Sequence, residues 1–234
     1  VDVGTGGKLL ILDGGSFLQT STSKNMFTGS NTAFEIQRIT EIRRFDLTYW
    51  SSPVDNPDFK MNTLSPETLF DKFFYWTSDF KWATDLYGKK TMEPGKGYSI
   101  RGPQSFDKDS PSLFTGKFYG KPNNGNILIP ITPDKYHFVG NPYPSAIDAR
   151  KFIRDNGEVG PLYFWTHVSP PKKENGSNTY TYSSPDYAVL TLLGSTKATT
   201  GGEEPSGYIA VGQGFFIKPR VTSVTFTNEQ RVKA

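Results

Sequence analysis

The feature that most constrains the fold is an internal duplication, which emerges when the second half of the chain is laid on the first. Four blocks recur in the same order and with the same character: residues 45–53 with 136–144, 73–77 with 162–166, 95–101 with 212–218, and 113–116 with 225–228. A single block would carry little weight in an aromatic-rich β protein. Because all four keep their order, they indicate two diverged copies of one unit.

The spacing of the blocks divides the chain. The second copy takes 47 positions to pass from Trp165 to Gly212, whereas the first takes 19 to pass from Trp76 to Gly95. We therefore predict a first repeat unit over residues 32–135, a second over 136–234, and an insertion over 167–207. Residues 1–31 stand apart, because paired glycines recur in them at a short period. This pattern indicates either the terminal rung of a β-solenoid or an ordinary hairpin.

Glycine and proline interrupt the chain too often for long helices, with 23 Gly and 17 Pro in 234 residues. Short strands joined by tight turns suit that punctuation. The hydrophobic fraction is only 35%, but 15% of residues are aromatic and supply large buried surfaces. We therefore predict an all-β protein of two tandem, related β-sandwich-like units. Residues 32–50 favour strands, and only 66–72 and 147–155 favour short helices, the latter with Ser145 as N-cap and Gly157 beyond its end.

Two kinds of repeated block predict structural roles. The blocks that contain Trp76 and Trp165 are continuously apolar, so we expect central strands buried on both faces with these tryptophans in the core. The blocks that contain Gly97 and Gly214 have the pattern Gly-x-Gly-aromatic. They predict tight turns in which glycine permits a positive φ or a close backbone approach.

The usual side chains of catalytic sites are scarce. The absence of cysteine excludes disulfides, thiol nucleophiles and thiolate metal sites. The two histidines, His137 and His167, are not near a Gly-x-Ser-x-Gly nucleophile motif. We interpret His137 as structural and His167, at a strand end, as a hydrogen-bonding surface residue. We predict no enzymatic activity. A pair of acids for glycoside hydrolysis stays as an alternative, because the separation that matters there is spatial.

The net charge of the chain indicates which partners it can bind, and the spacing of its aspartates indicates whether it can bind calcium. The net charge of +3 comes from 26 basic and 23 acidic residues that are well mixed, which does not favour nucleic acid. No apolar run approaches the ~20 residues of a membrane helix. Asp55 with Asp58 and Asp107 with Asp109 are the best oxygen pairs for calcium, but neither fits a twelve-position loop. We expect solvated turns there and no cofactor, with calcium as the alternative.

The insertion carries the candidates for ligand contact. Its mixture of Pro, Lys, Asn, Ser, Thr and Tyr is unsuited to a core but can present tyrosines and amides to a partner. We name His167, Tyr180, Tyr182 and Tyr187 as candidate ligand contacts and expect the segment to project from the scaffold. A tolerated surface insertion without a role is the alternative, because lengthening a loop costs little closure entropy.

Six phrases of the sequence carry a family likeness: RRFDLTYWSSPV, MEPGKGYSIRGP, FTGKFYGKPNNG, FVGNPYPSAID, LYFWTH and YIAVGQGFFIKP. Together they resemble the C-terminal region of large flavobacterial (Bacteroidetes) surface proteins that are exported by the type IX secretion system. The resemblance covers the chain from about residue 32 to the end. In that family such regions follow repetitive or solenoid segments and precede a short sorting signal. Many members are adhesins and some are linked to gliding motility. The resemblance implies no catalytic residue.

We therefore expect a non-enzymatic adhesin or binding module that is secreted or held on the bacterial cell surface. The expected partners are a surface glycan or protein ligand, the rest of a longer surface polypeptide, and components of the secretion system. Two alternatives stay open. One is a structural module that caps a repeat protein and presents the sorting signal, and the other is a carbohydrate-active domain.

Overall fold

The computed structural model describes residues 1–174, 176 and 180–233. The lead-in and the first unit consist of strands, the four-residue helix α1 and a 3-10 turn at Leu86–Gly88. In chain order these are β1 (Leu9–Ile11), β2 (Phe34–Ile42), β3 (Leu47–Trp50), β4 (Val54–Asp55), α1 (Met61–Leu64), β5 (Phe73–Trp76), β6 (Trp82–Thr84), β7 (Tyr98–Arg101), β8 (Ser112–Tyr119) and β9 (Lys121–Pro122).

The second unit has the same kind of elements with extra short strands. They are β10 (Ile127–Pro130), β11 (His137–Gly140), β12 (Ala146–Asp148), α2 (Ala149–Asp155), β13 (Leu162–Trp165), β14 (Lys172–Lys173), β15 (Tyr180–Thr181), β16 (Tyr187–Leu190), β17 (Ser195–Thr196), β18 (Tyr208–Ile209), β19 (Gly214–Ile217), β20 (Ser223–Phe226) and β21 (Arg231–Val232). The prediction of an all-β fold is confirmed. None of the helices in the described part of the chain has the length and apolarity needed to cross a membrane.

Both halves build their main sheet in the same strand order. The first unit has β3-β7-β5-β6 and the second has β11-β19-β13-β16, to which β17 is added. The flanking pairs correspond as well: β2 pairs with β8 as β10 pairs with β20, and β4 pairs with β9 as β12 pairs with β21. The duplication seen in the sequence is therefore a duplication of topology. β10 belongs to the second unit by its pairing, although it precedes residue 136.

The helices differ in part from expectation. The predicted helix over 147–155 is present as α2, but its N-cap is Asp148, whose carboxylate accepts a hydrogen bond from Lys151 N–H at 2.8 Å. The predicted helix over 66–72 is wrong, because the helical turn lies earlier, at α1. Proline disfavours a helical conformation in the residue before it, and Ser65, before Pro66, has φ −137° and ψ 79°.

The lead-in segment ties both units together. β1 pairs with β2 in parallel. Further along, Phe17 N–H donates to Pro144 O at 2.7 Å, and the Arg231 guanidinium donates to Phe17 O. Parallel pairing is the arrangement of solenoid rungs, whereas a hairpin pairs its strands antiparallel. The solenoid interpretation of this segment stays a prediction.

Strand alternation creates two separate cores and a layer between them. In β3, Trp50 points into the core of the first unit and its neighbour Tyr49 points away from it. In β19, Phe215 points into the core of the second unit and Phe216 points away. The outward faces of the two sheets meet in what we call the aromatic layer, which is formed by Tyr49, Trp76, Phe138, Tyr163, Trp165, Tyr187 and Phe216.

Candidate functional site

The two units are joined by pairs of equivalent backbone hydrogen bonds, one donated by the first unit to the second and the other by the second unit to the first. Ser51, just after β3, donates its N–H to Gly212 O at 2.8 Å. Gly140, at the corresponding place in β11, donates its N–H to Gly95 O at 3.1 Å. Reciprocal contacts of this kind are those of an isologous two-fold interface between identical subunits. The module therefore has an internal pseudo-two-fold axis through its centre.

The Gly-x-Gly motifs make this close joint feasible. Gly95 and Gly212 have φ of +79° and +60°, which L side chains rarely adopt. Gly97 lies against the Phe138 ring, and a Cβ added there would lie 2.5 Å from Phe138 Cδ2. A Cβ on Gly214 would lie 3.0 Å from Trp50 O of the first unit. The first glycine of each motif permits the turn, and the second permits the two units to approach each other.

The two tryptophans of the repeated blocks hold equivalent places at the aromatic layer, outside the core of either unit. Trp76 ends β5 opposite Trp82, and Trp165 ends β13 opposite Tyr187. Both strands are central in their sheets, as expected. Both tryptophans are only half-buried, because their faces of the sheets form the aromatic layer, whose edge reaches solvent. The fully buried tryptophan is Trp50, which is 1% exposed.

Two of the candidate ligand contacts pack on the first unit. The Tyr180 ring stacks on Phe45 with 4.4 Å between ring centroids. The Tyr182 hydroxyl donates to Phe45 O at 2.9 Å, and burial raises the pKa of Tyr182 to about 12. The expectation that this part of the insertion projects is therefore wrong. When these tyrosines pack on Phe45, aromatic surface is removed from water. The free energy gained in this way exceeds the conformational entropy that a projecting loop would keep. Residues 175 and 177–179 of the insertion lie outside the described residues.

The other two candidates also make contacts within the chain. The Tyr187 hydroxyl lies 2.5 Å from the Tyr49 hydroxyl, and burial raises the pKa of Tyr187 to about 12. His167 has φ +41°, its Nε2–H donates to Glu41 O at 3.2 Å, and its carbonyl accepts from Arg43 Nη2 at 2.6 Å. Burial lowers the pKa of His167. A ligand at these side chains would have to compete with existing contacts.

The remaining candidates from the sequence are local structural groups. His137 Nε2 lies 3.0 Å from Thr132 O, and burial lowers the pKa of His137. The Asp107 carboxylate accepts from the N–H groups of Asp109 and Ser110 at 2.8 and 2.7 Å, as in a solvated turn. Within the described residues, no group of three or more His, Asp or Glu side chains is placed to hold a metal ion.

Two cavities lie at the junction of the units, in places that correspond under the pseudo-two-fold axis. The larger, of about 1270 Å³, lies between β10 and the sheet of the first unit, and we call it the groove. The smaller, of about 420 Å³, lies between β2 and the sheet of the second unit, and we call it the cleft. Each is lined by the tryptophan of the repeated block, by Trp76 in the groove and by Trp165 in the cleft.

The groove combines aromatic rings with exposed polar groups. Tyr75, Trp76 and Phe80 supply the rings. The Lys90 ammonium lies 4.4 Å from the centroid of the Tyr75 ring, a cation–π contact. Phe80 has φ +58°, a strained conformation for a bulky residue, and such conformations concentrate at functional sites. Asn126 lines the groove and is exposed. An open surface of this kind presents both stacking faces and hydrogen-bonding groups.

The cleft has a different chemistry because charged residues line it. Arg38, on β2, is half-buried and donates from Nη1 to Gly212 O at 3.2 Å. Its guanidinium carbon lies 4.8 Å from the centroid of the Trp50 ring. Burial lowers the pKa of Arg38 to about 10, an effect that the charge of Asp13 opposes. Glu203 also lines the cleft. The cleft therefore holds charges of both signs.

Neither cavity was found from the sequence. The groove is built from β5, the turn after it, the approach to β7, and β10, which lie far apart along the chain. No local motif marks it. The one usable signal was the repeated tryptophan block itself, which lies at both cavities.

Comparison with known proteins identifies the family of the chain. No curated protein and no solved structure matches it. The family model described as a domain of unknown function, DUF8693, matches residues 1–234. The match spans both units, the insertion and the lead-in, so the whole module corresponds to one family. The chain belongs to the DUF8693 family.

Proposed function

We propose that the module is a non-enzymatic adhesin or binding module and that it binds a surface glycan in the groove. The observation that carries this proposal is the open groove, whose lining includes the aromatic residues Tyr75, Trp76 and Phe80 together with Lys90 and Asn126. Sugar rings expose C–H faces that pack on aromatic rings, and their hydroxyls both donate and accept hydrogen bonds.

The size of the groove favours a chain over a small molecule. Small-molecule pockets hold roughly 300–1,000 Å³ and enclose most of the ligand. The groove, at about 1270 Å³, exceeds that range and is open to solvent. Several consecutive sugar residues would fit such a surface better than one enclosed compound. A glycan on a neighbouring cell or in the surrounding matrix is the ligand class proposed.

A role without catalysis is supported by the hydrogen bonds that the two histidines form with the backbone. His137 is bound to the backbone of Thr132, and His167 is bound to the backbone of Glu41. Each is thus engaged as a structural group, and neither lies beside a serine in an activating hydrogen bond within the part of the chain that is described. The carbohydrate-active alternative would need an acid pair in the groove, which is lined by Asp55, Asp79 and Glu93.

We further propose export by the type IX secretion system to the cell surface or the medium, as part of a longer polypeptide. The support is the family resemblance of the six phrases quoted above. Protease treatment and antibody labelling of intact cells should detect the module outside the cell. Loss of that labelling in a strain without the secretion system would support the proposed route, whereas unchanged labelling would exclude it.

A purely structural role is the second candidate, and the lead-in segment favours it. β1 pairs with β2 of the first unit, and Phe17 is hydrogen-bonded to Pro144 and Arg231 of the second, so the chain enters the module across both units. This arrangement would transmit force or close the end of a preceding repeat. Deletion of the module that abolishes export, with glycan binding absent from the isolated module, would favour this role over adhesion.

The glycan proposal is tested with the isolated chain on a glycan array, followed by affinity electrophoresis in the polysaccharides that bind. Aromatic contacts are worth roughly 0.5–1.5 kcal/mol each, so Tyr75→Ala should weaken binding up to about tenfold. Phe70→Ala is the matched control, because Phe70 is an exposed aromatic residue of the first unit that does not line the groove.

Thermal unfolding of both variants separates lost binding from lost folding. Equal binding by wild type, Tyr75→Ala and Lys90→Gln would contradict the placement of the glycan in the groove. Release of reducing ends from a bound polysaccharide would instead support the carbohydrate-active alternative, because a binding module leaves its ligand intact.

A further inference from the structure

The cleft is lined by polar side chains in which one atom forms a hydrogen bond within the protein and a second polar atom can bind a ligand. Asp13 Oδ1 accepts from Ile39 N–H at 2.8 Å, which leaves Oδ2. Gln213 Oε1 accepts from Ala210 N–H at 2.9 Å, which leaves the Nε2 amide. Both side chains line the cleft. Side chains anchored in this way lose little conformational entropy when they bind a ligand.

Arg38 is anchored in the same manner. One nitrogen, Nη1, donates to Gly212 O, and the guanidinium carbon lies over the Trp50 ring. The guanidinium carries further N–H donors at its edge. The cations that line the groove are Lys90 and Lys96. The two cavities therefore differ in the cations that line them, an anchored arginine in the cleft and lysines in the groove.

The charges in the cleft select the class of ligand. Asp13 and Glu203 accept hydrogen bonds and repel an anion, while Arg38 donates hydrogen bonds and repels a cation. A neutral ligand with adjacent hydroxyls satisfies both, because each hydroxyl donates to a carboxylate and accepts from the guanidinium. Trp165 adds an aromatic wall beside these groups.

The volume of the cleft sets the size of the ligand. At about 420 Å³ it lies near the lower end of the roughly 300–1,000 Å³ range of small-molecule sites. This space suits one or two sugar rings and excludes a long chain. We infer that the cleft is a second binding site that takes a neutral mono- or disaccharide unit through Arg38, Asp13, Glu203 and Gln213. The inference does not require the groove to bind a glycan.

The test measures binding of single sugars to the full chain by isothermal titration calorimetry and by intrinsic tryptophan fluorescence. The probes are glucose, galactose, mannose and their disaccharides, with glucuronate and glucosamine as the charged comparisons. At least one neutral sugar should bind saturably and more tightly than glucuronate or glucosamine. Trp165→Phe should remove the fluorescence change, because Trp165 lines the cleft.

The variants keep the structural hydrogen bonds while changing the groups offered to the ligand. Asp13→Asn retains the Oδ1 acceptor for Ile39, and Gln213→Glu retains the acceptor for Ala210. Glu203→Gln keeps the length of the side chain. Hydrogen bonds to charged groups are the stronger class, so the double variant Asp13→Asn with Glu203→Gln should bind the sugar about tenfold more weakly or worse.

Phe70→Ala, at an exposed ring that lines neither cavity, is the matched control and should bind the single sugar as wild type does. The cleft assignment is overturned if no neutral sugar saturates, if glucuronate binds more tightly than glucose, or if the double variant binds like wild type. Weaker binding in Tyr75→Ala alone would move the sugar to the groove. Failure of the array experiment alone would leave the cleft result standing, so the two proposals are separable.

Discussion

Trp50 of the first unit lies opposite Gln213 of the second in an antiparallel bridge. The equivalent bridge joins Val139 of the second unit to Lys96 of the first. Tandem domains usually meet through limited and more polar surfaces and move relative to one another. Here the strands of one unit continue into backbone contacts with the other, and an aromatic layer lies between the sheets. The two copies therefore form one folded body, and we expect a single unfolding transition.

Removal of one hydroxyl of the Tyr49–Tyr187 pair should destabilise the module. The hydroxyls lie 2.5 Å apart, and Tyr49 is buried. An unpaired buried polar group costs about 1–3 kcal/mol, so Tyr187→Phe should lower the free energy of unfolding by that amount. Tyr49→Phe with Tyr187→Phe should cost less than the sum of the single changes. Urea unfolding in a double-mutant cycle measures the coupling, and strictly additive losses would contradict a shared hydrogen bond.

Stability should fall at high pH because buried tyrosines resist ionisation. Burial raises the pKa of Tyr182 and Tyr187 from 10.0 to about 12. Between these values the unfolded chain releases protons that the folded chain retains, so ionisation favours unfolding. The free energy of unfolding should therefore be independent of these groups below about pH 10 and decline as the pH rises towards 12. Urea titrations across this range should show a smaller decline in Tyr182→Phe with Tyr187→Phe.

Gly97→Ala should destabilise the joint between the units. The added Cβ would lie 2.5 Å from Phe138 Cδ2, in a ring that is itself packed in the aromatic layer. Overpacking of this kind costs about 1–3 kcal/mol. Gly194→Ala is the control, because a Cβ there meets nothing within 4 Å. Differential scanning calorimetry should show a lower Tm for Gly97→Ala only. An equal Tm for both variants would mean that the Phe138 ring moves away from the added Cβ without a loss of stability.

Truncation of tryptophans should separate the core from the aromatic layer. Trp50 is 1% exposed, so Trp50→Ala should cost about 3–5 kcal/mol through cavity formation. Trp76→Ala should cost clearly less, because part of its ring already contacts solvent. Guanidinium unfolding monitored by circular dichroism measures both. A larger loss for Trp76→Ala than for Trp50→Ala would contradict the half-buried position of Trp76.

Tyr182→Phe should loosen the insertion and leave the scaffold folded. The change removes the hydrogen bond to Phe45 O, while the ring and its packing stay. Lys172 and Lys173 are exposed and lie in the same segment. Limited trypsin digestion should therefore cut after these lysines faster in the variant than in wild type, with only a small change in Tm. Equal rates of cutting would show that the hydroxyl does not hold the segment down.

The sequence by itself determined the topology to a large extent. Glycine and proline spacing excluded long helices, and the ordered blocks predicted two copies that indeed have one strand order. These signals are readable because they are local: a turn needs glycine where φ is positive, as at Gly95, and a strand alternates its apolar side chains. The prediction failed at α1, where the effect of Pro66 on the preceding residue decided the end of the helical turn.

Only the tertiary structure decided which apolar faces meet and where cavities remain. Trp50 and Trp76 both follow apolar stretches, yet one faces a core and the other faces the aromatic layer. Tyr182 was expected to project, but Phe45, 137 positions away in the chain, offered it a contact. The groove and the cleft likewise join residues from both copies. The local sequence pattern specifies that one face of a strand is apolar. Which other segment packs on that face depends on the docking of segments that are distant in the chain, and no local pattern specifies it.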